Sequence, residues 1–252
     1  IMIKERKALS VRKMAIVGVL GGLSVMLGLT PLGFIPVGPT RATIMHIPVI
    51  IGAIMEGPIV GGLIGLIFGL TSMFQAATNP TPVSFVFLDP LVSVLPRVLI
   101  GAVAHYSYKW AKDLGDKKTL WILRIMWAGM ISYLSYGIYT GIKLDKGLGT
   151  IIAHIILIGL IVAFGIYGQK KLADKTISVT IAAILGTLTN TIGVLSMIYF
   201  IHGERFVKGL GQNPDMARKI IFGIGVTNGI PEIIIGTIIV TNVVAALNNR
   251  VK

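Results

Sequence analysis

The chain has 252 residues, of which 54% are hydrophobic and only 13% charged, with a mean hydropathy of +0.84. Soluble domains carry about 25% charged and about 45–50% apolar residues, so a water-soluble globule is excluded, and a disordered tail or a disulfide scaffold with it. The net charge of +13 and the complete lack of cysteine leave a basic, integral membrane protein without thiolate catalysis, iron–sulfur clusters or thiolate zinc sites.

A helix needs about 20 apolar residues to cross a bilayer, so this length has room for roughly six to eight crossings within a single integral membrane domain, residues 1–252. The first predicted span runs from Met14 to Leu32, behind the basic cluster Lys4, Arg6, Lys7, Arg12 and Lys13. A basic start and an apolar stretch also fit a signal peptide, but the run is long and further spans follow it. A Pro- and Gly-rich loop from Pro31 to Pro39 leads to a second apolar segment at 44–55, which Glu56-Gly57-Pro58 terminates, since proline cannot continue the helix. A third span covers 59–77, and Asn79-Pro80-Thr81-Pro82 forms a second stiff loop before a fourth span, Phe85 to Tyr108. The polar stretch 109–118 precedes four more apolar segments, at 119–142, 148–168, 177–201 and 220–247.

Basic residues collect on the cytoplasmic side of membrane proteins. Both termini inside would place the loops 109–124 and 169–175 inside as well, with 15 basic residues there against 7 outside (Arg41, Lys143, Lys146, Arg205, Lys208, Arg218, Lys219). That distribution accounts for the positive charge without nucleic acid as a partner.

Strongly polar groups inside a span are costly unless they face a partner or a cavity, so each of them carries information. Arg97 follows Pro96 inside the fourth span; its guanidinium can clamp a ligand carboxylate through parallel hydrogen bonds, or pair with Glu232 or with carbonyls that Pro96 leaves free. Glu232 follows Pro231 in the last span, with Asn228 one turn away on the same face. Asn190 is the polar centre of the seventh span, where an amide also serves as glue between helices. Arg41 and His46 flank the first outer loop, and Gln75 and Asn79 the second. These eight residues are the candidate ligand contacts. His105 and His154 read as packing residues. The four histidines are scattered, and Gly-x-Ser-x-Gly and phosphate-binding loops are both lacking, so the chain offers no catalytic residues, no metal site and no cofactor site. Gly18 and Gly22, and likewise Gly61, Gly65 and Gly69, form small-residue faces that serve close packing or docking.

The runs Pro39 to Gly52 (PTRATIMHIPVIIG), Gly61 to Leu70, and above all Pro80 to Gly101 (PTPVSFVFLDPLVSVLPRVLIG), with Gly186 to Thr191 and Asn228 to Glu232, resemble the substrate-binding subunits, or S components, of energy-coupling factor (ECF) transporters. The resemblance covers about 1–111 and 177–247 and is strongest to the pantothenate-type members. It implies an all-α, polytopic membrane helical bundle with a six-helix core, no enzyme activity, and high-affinity capture of a vitamin. It also implies partners: a transmembrane coupling subunit and two ATPase subunits, docked through a small-residue face whose Ala-x-x-x-Ala pattern corresponds here to Gly18 and Gly22. The expected location is a bacterial cell membrane, with both termini cytoplasmic. The segment 112–176 exceeds the six-helix pattern and reads as an inserted helical hairpin, with spans at about 119–168. A carboxylate vitamin suits Arg97, topped by Arg41, with the amides of Asn79, Asn190 and Asn228 serving its hydroxyls and amide. Pantothenate heads that class; niacin, folate, pyridoxine and riboflavin stay open, as does a proton-coupled secondary transporter of a small carboxylate that uses Glu232.

Overall fold

The computed structural model describes residues 10–37, 40–144, 148–171 and 176–250. Lys4, Arg6, Lys7, Lys146, Lys175 and Lys252 of the charge count lie outside the described residues. Helix α1 spans Val11–Leu29 and begins at Ser10, whose side chain accepts from the Lys13 amide (3.4 Å), a standard way to satisfy an orphan N–H at a helix start. After a 3₁₀ turn at Pro31–Gly33, strands β1 (Phe34–Val37) and β2 (Thr40–Thr43) pair antiparallel, with Phe34 opposite Thr43. This hairpin is a small addition to an otherwise helical protein.

Helix α2 (Ile47–Glu56) follows, and every residue from Ile47 to Ile54 is buried. A helix that is apolar all round belongs inside a bundle, and ten residues rise only about 15 Å. The expected second span at 44–55 is therefore a buried core helix, shorter than the about 20 residues that cross hydrocarbon alone, and it returns the chain from the hairpin toward the start of α1. Gly57 turns the chain with φ of 103°, a left-handed conformation suited to glycine, and Pro58 opens α3 (Pro58–Thr78). An ion pair of 2.9 Å between Arg12 and Glu56 ties the end of α2 to the start of α1.

The expected fourth span starts as a 3₁₀ turn at Ser84–Leu88, then the short α4 (Pro90–Ser93), capped by Asp89 accepting from the Leu91 amide (2.9 Å). A break at Val94 separates it from α5 (Leu95–Leu114). Helices α6 (Asp116–Lys143) and α7 (Leu148–Lys171) run as an antiparallel pair, α8 covers Ile177–Gly209, and α9 covers Ala217–Arg250 with Pro231 inside it. Leu134 of α6, Leu157 and Ile161 of α7 and Ile234 of α9 share one buried cluster, so the pair packs laterally on the bundle.

Among the described residues six segments are long and apolar enough to span a membrane: Val11–Leu29, Pro58–Thr78, Pro90–Leu114, Leu148–Ile166, Ile177–Gly209 and Pro214–Asn248. The segment expected at 119–142 lies in α6, which carries Lys117, Lys118, Arg124 and many tyrosines and falls below that threshold. The main core gathers α2 with the inner faces of its neighbours, including Ile64, Phe68, Ile100, Val179 and Val240.

Close approach of α3 to α5 sets the frame for the interior. A Cβ on Gly61 would meet the Gly101 Cα at 2.8 Å, one on Gly69 would meet the Ser93 carbonyl at 2.7 Å, and one on Gly65 would run into the Arg97 carbonyl. The Gly61, Gly65 and Gly69 face is thus used for internal packing. Gly65→Ala is expected to destabilise the fold by about 1–3 kcal/mol through overpacking. Gly62→Ala is the control: its Cβ would meet only Val98 at an ordinary 3.8 Å, and the gain in helix propensity is up to about 1 kcal/mol. Thermal unfolding of the two variants in detergent should move in opposite directions.

Candidate functional site

A proline cannot donate to the carbonyl four residues before it, so Pro96 leaves the Val92 carbonyl without its helical partner. The side chain of the next residue takes that place: Arg97 Nη1 donates to Val92 O. The guanidinium is 5% exposed and lies between two aromatic rings, with its Cζ 5.4 Å from the centre of Phe68 and 5.8 Å from that of Phe87, within the range of cation–π attraction. Its Nε has no hydrogen-bond partner among the described residues. Of the two structural roles open to Arg97 in the sequence, the freed carbonyl is the one it fills, since no ion pair with Glu232 within 4 Å is present among the described residues.

Glu232 is 5% exposed, and its carboxylate collects three hydrogen bonds from two other elements. Oε1 accepts from the Thr43 amide (3.0 Å) and the Thr43 hydroxyl (2.6 Å), and Oε2 accepts from the Thr191 hydroxyl (3.0 Å). The hairpin is therefore not merely a cover: its last residue reaches into the bundle and is fastened to α9, while Thr191 fastens α8 to the same group.

His46 is fully buried at the start of α2, with Nε2 3.0 Å from Thr187 Oγ1. A Cβ at Gly236 would sit 3.3 Å from both atoms, so the absence of a side chain there makes room for the pair. Asn190 is also buried, three residues on from Thr187 along α8. His46 Nδ1 and Asn190 Oδ1 join Arg97 Nε as buried polar atoms without a partner among the described residues. Buried polar groups are rarely left unpaired, so this concentration marks a place where further donors and acceptors are wanted.

Arg97, His46, Asn190 and Glu232 are thus all buried in the interior of the bundle. Asn228 is half-buried one turn before Glu232, and Gln75 is half-buried on α3, two turns beyond Phe68 on the same face. Asn79 is exposed and donates to the Thr78 hydroxyl (3.2 Å). Arg41 has its backbone in β2 opposite Pro36; its side chain lies outside the described residues. Gly18 and Gly22 stand on the outer face of α1, where an added Cβ would meet nothing within 4 Å, whereas Gly21 and Gly28 face Ile67 and Thr71. Asp89 pairs with His202 of α8 (3.1 Å). His105 and His154 bond the carbonyls of Ala53 and Thr150.

Thr43, Thr187, Phe68 and Phe87 join the cluster without having been singled out in the sequence. Threonines and phenylalanines are too common in apolar segments to stand out, and only the spacing of Thr187, Thr191 and Asn190 on one stretch of α8 offered a signal.

The family model of the ECF transporter substrate-specific component matches residues 12–165. The chain belongs to this family. The match runs from α1 through α6 and into α7. The S component described here is 28% identical to the pantothenic acid transporter PanT of Lactococcus lactis subsp. cremoris (strain MG1363) over 209 residues, 83% of this chain and 79% of that protein. It is 35% identical to the pantothenate transporter PanT of Leuconostoc mesenteroides subsp. mesenteroides over 89 residues, 34% of this chain and 43% of that protein. With six segments among the described residues long and apolar enough to cross a membrane, it is a multi-pass membrane protein and a transporter component.

The Thr43 contact can be tested directly. Thr43→Val preserves shape but removes one donor to a buried carboxylate, and is expected to cost about 1–3 kcal/mol. Thr227→Val, which removes only bonds to carbonyls of its own helix at the surface, should leave the thermal midpoint unchanged.

Proposed function

We propose that this S component captures pantothenate in the interior of the bundle and hands it to an ATP-driven ECF importer. The observation that carries the proposal is the buried, incompletely paired Arg97, in a chain related over most of its length to a protein named for pantothenic acid. A carboxylate is the natural partner for the free edge of a guanidinium, and in a dry interior such a charge-assisted bond is strong. The hydroxyls and amide of pantothenate then have Asn190, His46 and Asn228 as partners, with Arg41, Gln75 and Asn79 along the way in from the hairpin side. Glu232 holds the hairpin and α8 around the ligand.

Gly18 and Gly22 form the face that docks on the coupling subunit, which in turn works with two ATPases. Two features support this reading: both glycines are bare, and close helix approach in a membrane favours small residues. The excess of basic residues at the N-terminus, at 109–124 and at 169–175 supports cytoplasmic termini. The pair α6 and α7, within 112–176, is an inserted hairpin on a six-helix core and lies in the membrane beside α8 and α9.

Calorimetry of the purified protein in detergent against a panel of vitamins, with no nucleotide or ion gradient, should give sub-micromolar binding of pantothenate. Binding of niacin, folate, pyridoxine or riboflavin instead would redirect the cargo within the same class. Failure of all of them with folded protein would favour a proton-coupled transporter. Arg97→Ala should weaken pantothenate binding by about 2–5 kcal/mol, the range for truncating one partner of a buried charged pair. Arg97→Lys keeps the charge but loses the planar fork, so it should bind weakly while remaining folded. Unchanged affinity in both variants would remove Arg97 from the site.

Replacing Gly18 and Gly22 together with leucine should abolish vitamin uptake by cells and leave binding by the isolated subunit intact. Normal uptake by that double variant would refute the docking face.

A further inference from the structure

Between α8 and α9, on the outside of the bundle, lies an apolar groove of about 530 Å³. Its floor is made by two glycines of α9: a Cβ on Gly225 would meet Leu195 at 2.9 Å, and one on Gly229 would meet Thr191 at 3.2 Å. Its walls are apolar apart from Thr191, Ser196, the Tyr199 hydroxyl and, at one end, Arg218. Arg218 is exposed in the first turn of α9, and no acidic side chain lies within ion-pairing distance of it among the described residues. Fifteen residues of helix, about 22 Å of rise, separate it from Ile233 at the far end of the groove, and one leaflet with its headgroup region is about 20–22 Å thick.

We propose that this groove is a specific site for one anionic phospholipid, with its phosphate on Arg218 and an acyl chain lying over Gly225 and Gly229. The chemistry of the groove supports this occupant on two counts. An unpaired guanidinium sits at headgroup depth at the very end of an apolar trough, which matches an amphipathic anion and not a neutral lipid. The trough also matches the length of a single leaflet, where a second protein helix would run on past Arg218 into the loop at 210–216. Thr191, toward the inner part of the groove, is the same residue whose hydroxyl bonds Glu232, so the lipid chain abuts the wall of the polar cluster.

The test uses the full-length protein in vesicles of 80% phosphatidylcholine and 20% phosphatidylglycerol, with a trace of either lipid carrying a photoreactive diazirine at the end of one acyl chain. The labelled phosphatidylglycerol should cross-link to peptides covering 188–195 and 225–233. Its yield should exceed that of labelled phosphatidylcholine by about fivefold, the factor that one basic residue contributes near an anionic headgroup. Arg218→Gln should bring the two lipids to equal yield, and Lys219→Gln should leave the preference intact. Equal yields in the unaltered protein, cross-links spread evenly over the outer faces of α1 and α3, or the same loss in Lys219→Gln as in Arg218→Gln would each overturn the assignment, since all three describe ordinary surrounding lipid.

Discussion

A carboxylate taken out of water loses hydration worth many kcal/mol, and it stays in a protein interior only where hydrogen bonds and opposite charge replace that hydration. Glu232 lies at such a position, and the way it is satisfied organises the molecule around it. Its three donors come from the end of β2 and the middle of α8, elements far apart in the chain. One side chain therefore fixes where the hairpin enters the bundle and how α8 faces α9. The same fastening brings His46, just past the hairpin, under α8 against Thr187.

The other buried charge depends on a different constraint. Gly61, Gly65 and Gly69 let α3 lie almost backbone to backbone on α4 and α5, and only at that distance does Phe68 of α3 reach the Arg97 guanidinium. Pro96 then supplies the vacant Val92 carbonyl that holds one end of the side chain. The cation is therefore positioned by backbone and aromatic contacts, and an acidic partner is not needed to hold it there. A direct pair with Glu232 would have neutralised both groups. Holding them apart, each with its own supports, leaves the edge of the guanidinium that carries Nε free for another anion.

Much of this was legible in the sequence, and the physical reasons differ by feature. Long apolar runs in a chain with so little charge report helices well, which is why all eight apolar segments are mostly helical. Length separates a span from a core helix, and α2, only ten residues long, was counted among the spans because its apolar run reads like theirs. The expense of Arg97, Glu232 and Asn190 in a membrane made them visible as interior groups. The contacts that position them were not visible: the Thr43 bond spans 189 positions of sequence, and nothing local in Thr40-Arg41-Ala42-Thr43 distinguishes a strand end that grips α9 from a loop exposed to solvent.

The two glycine faces show why composition alone cannot assign a role. Gly61, Gly65 and Gly69 on one side and Gly18 and Gly22 on the other have the same small-residue spacing, and the bilayer offers no hydrophobic drive to pair either one. What distinguishes them is the neighbour. α3 already has a backbone pressed against its glycines, so its gain in packing is fully used within the chain. The outer face of α1 keeps Gly21, Ser24 and Gly28 inward and presents Gly18 and Gly22 to the bilayer, where lipid tails pack on them no better than on leucine. Glycine costs up to about 1 kcal/mol in a helix interior relative to alanine. Two of them on a face with no internal contact lower the stability of α1 with no compensation inside this chain. That uncompensated cost is what the proposed docking of Gly18 and Gly22 on the coupling subunit accounts for, since a second helix could approach closely at that spot.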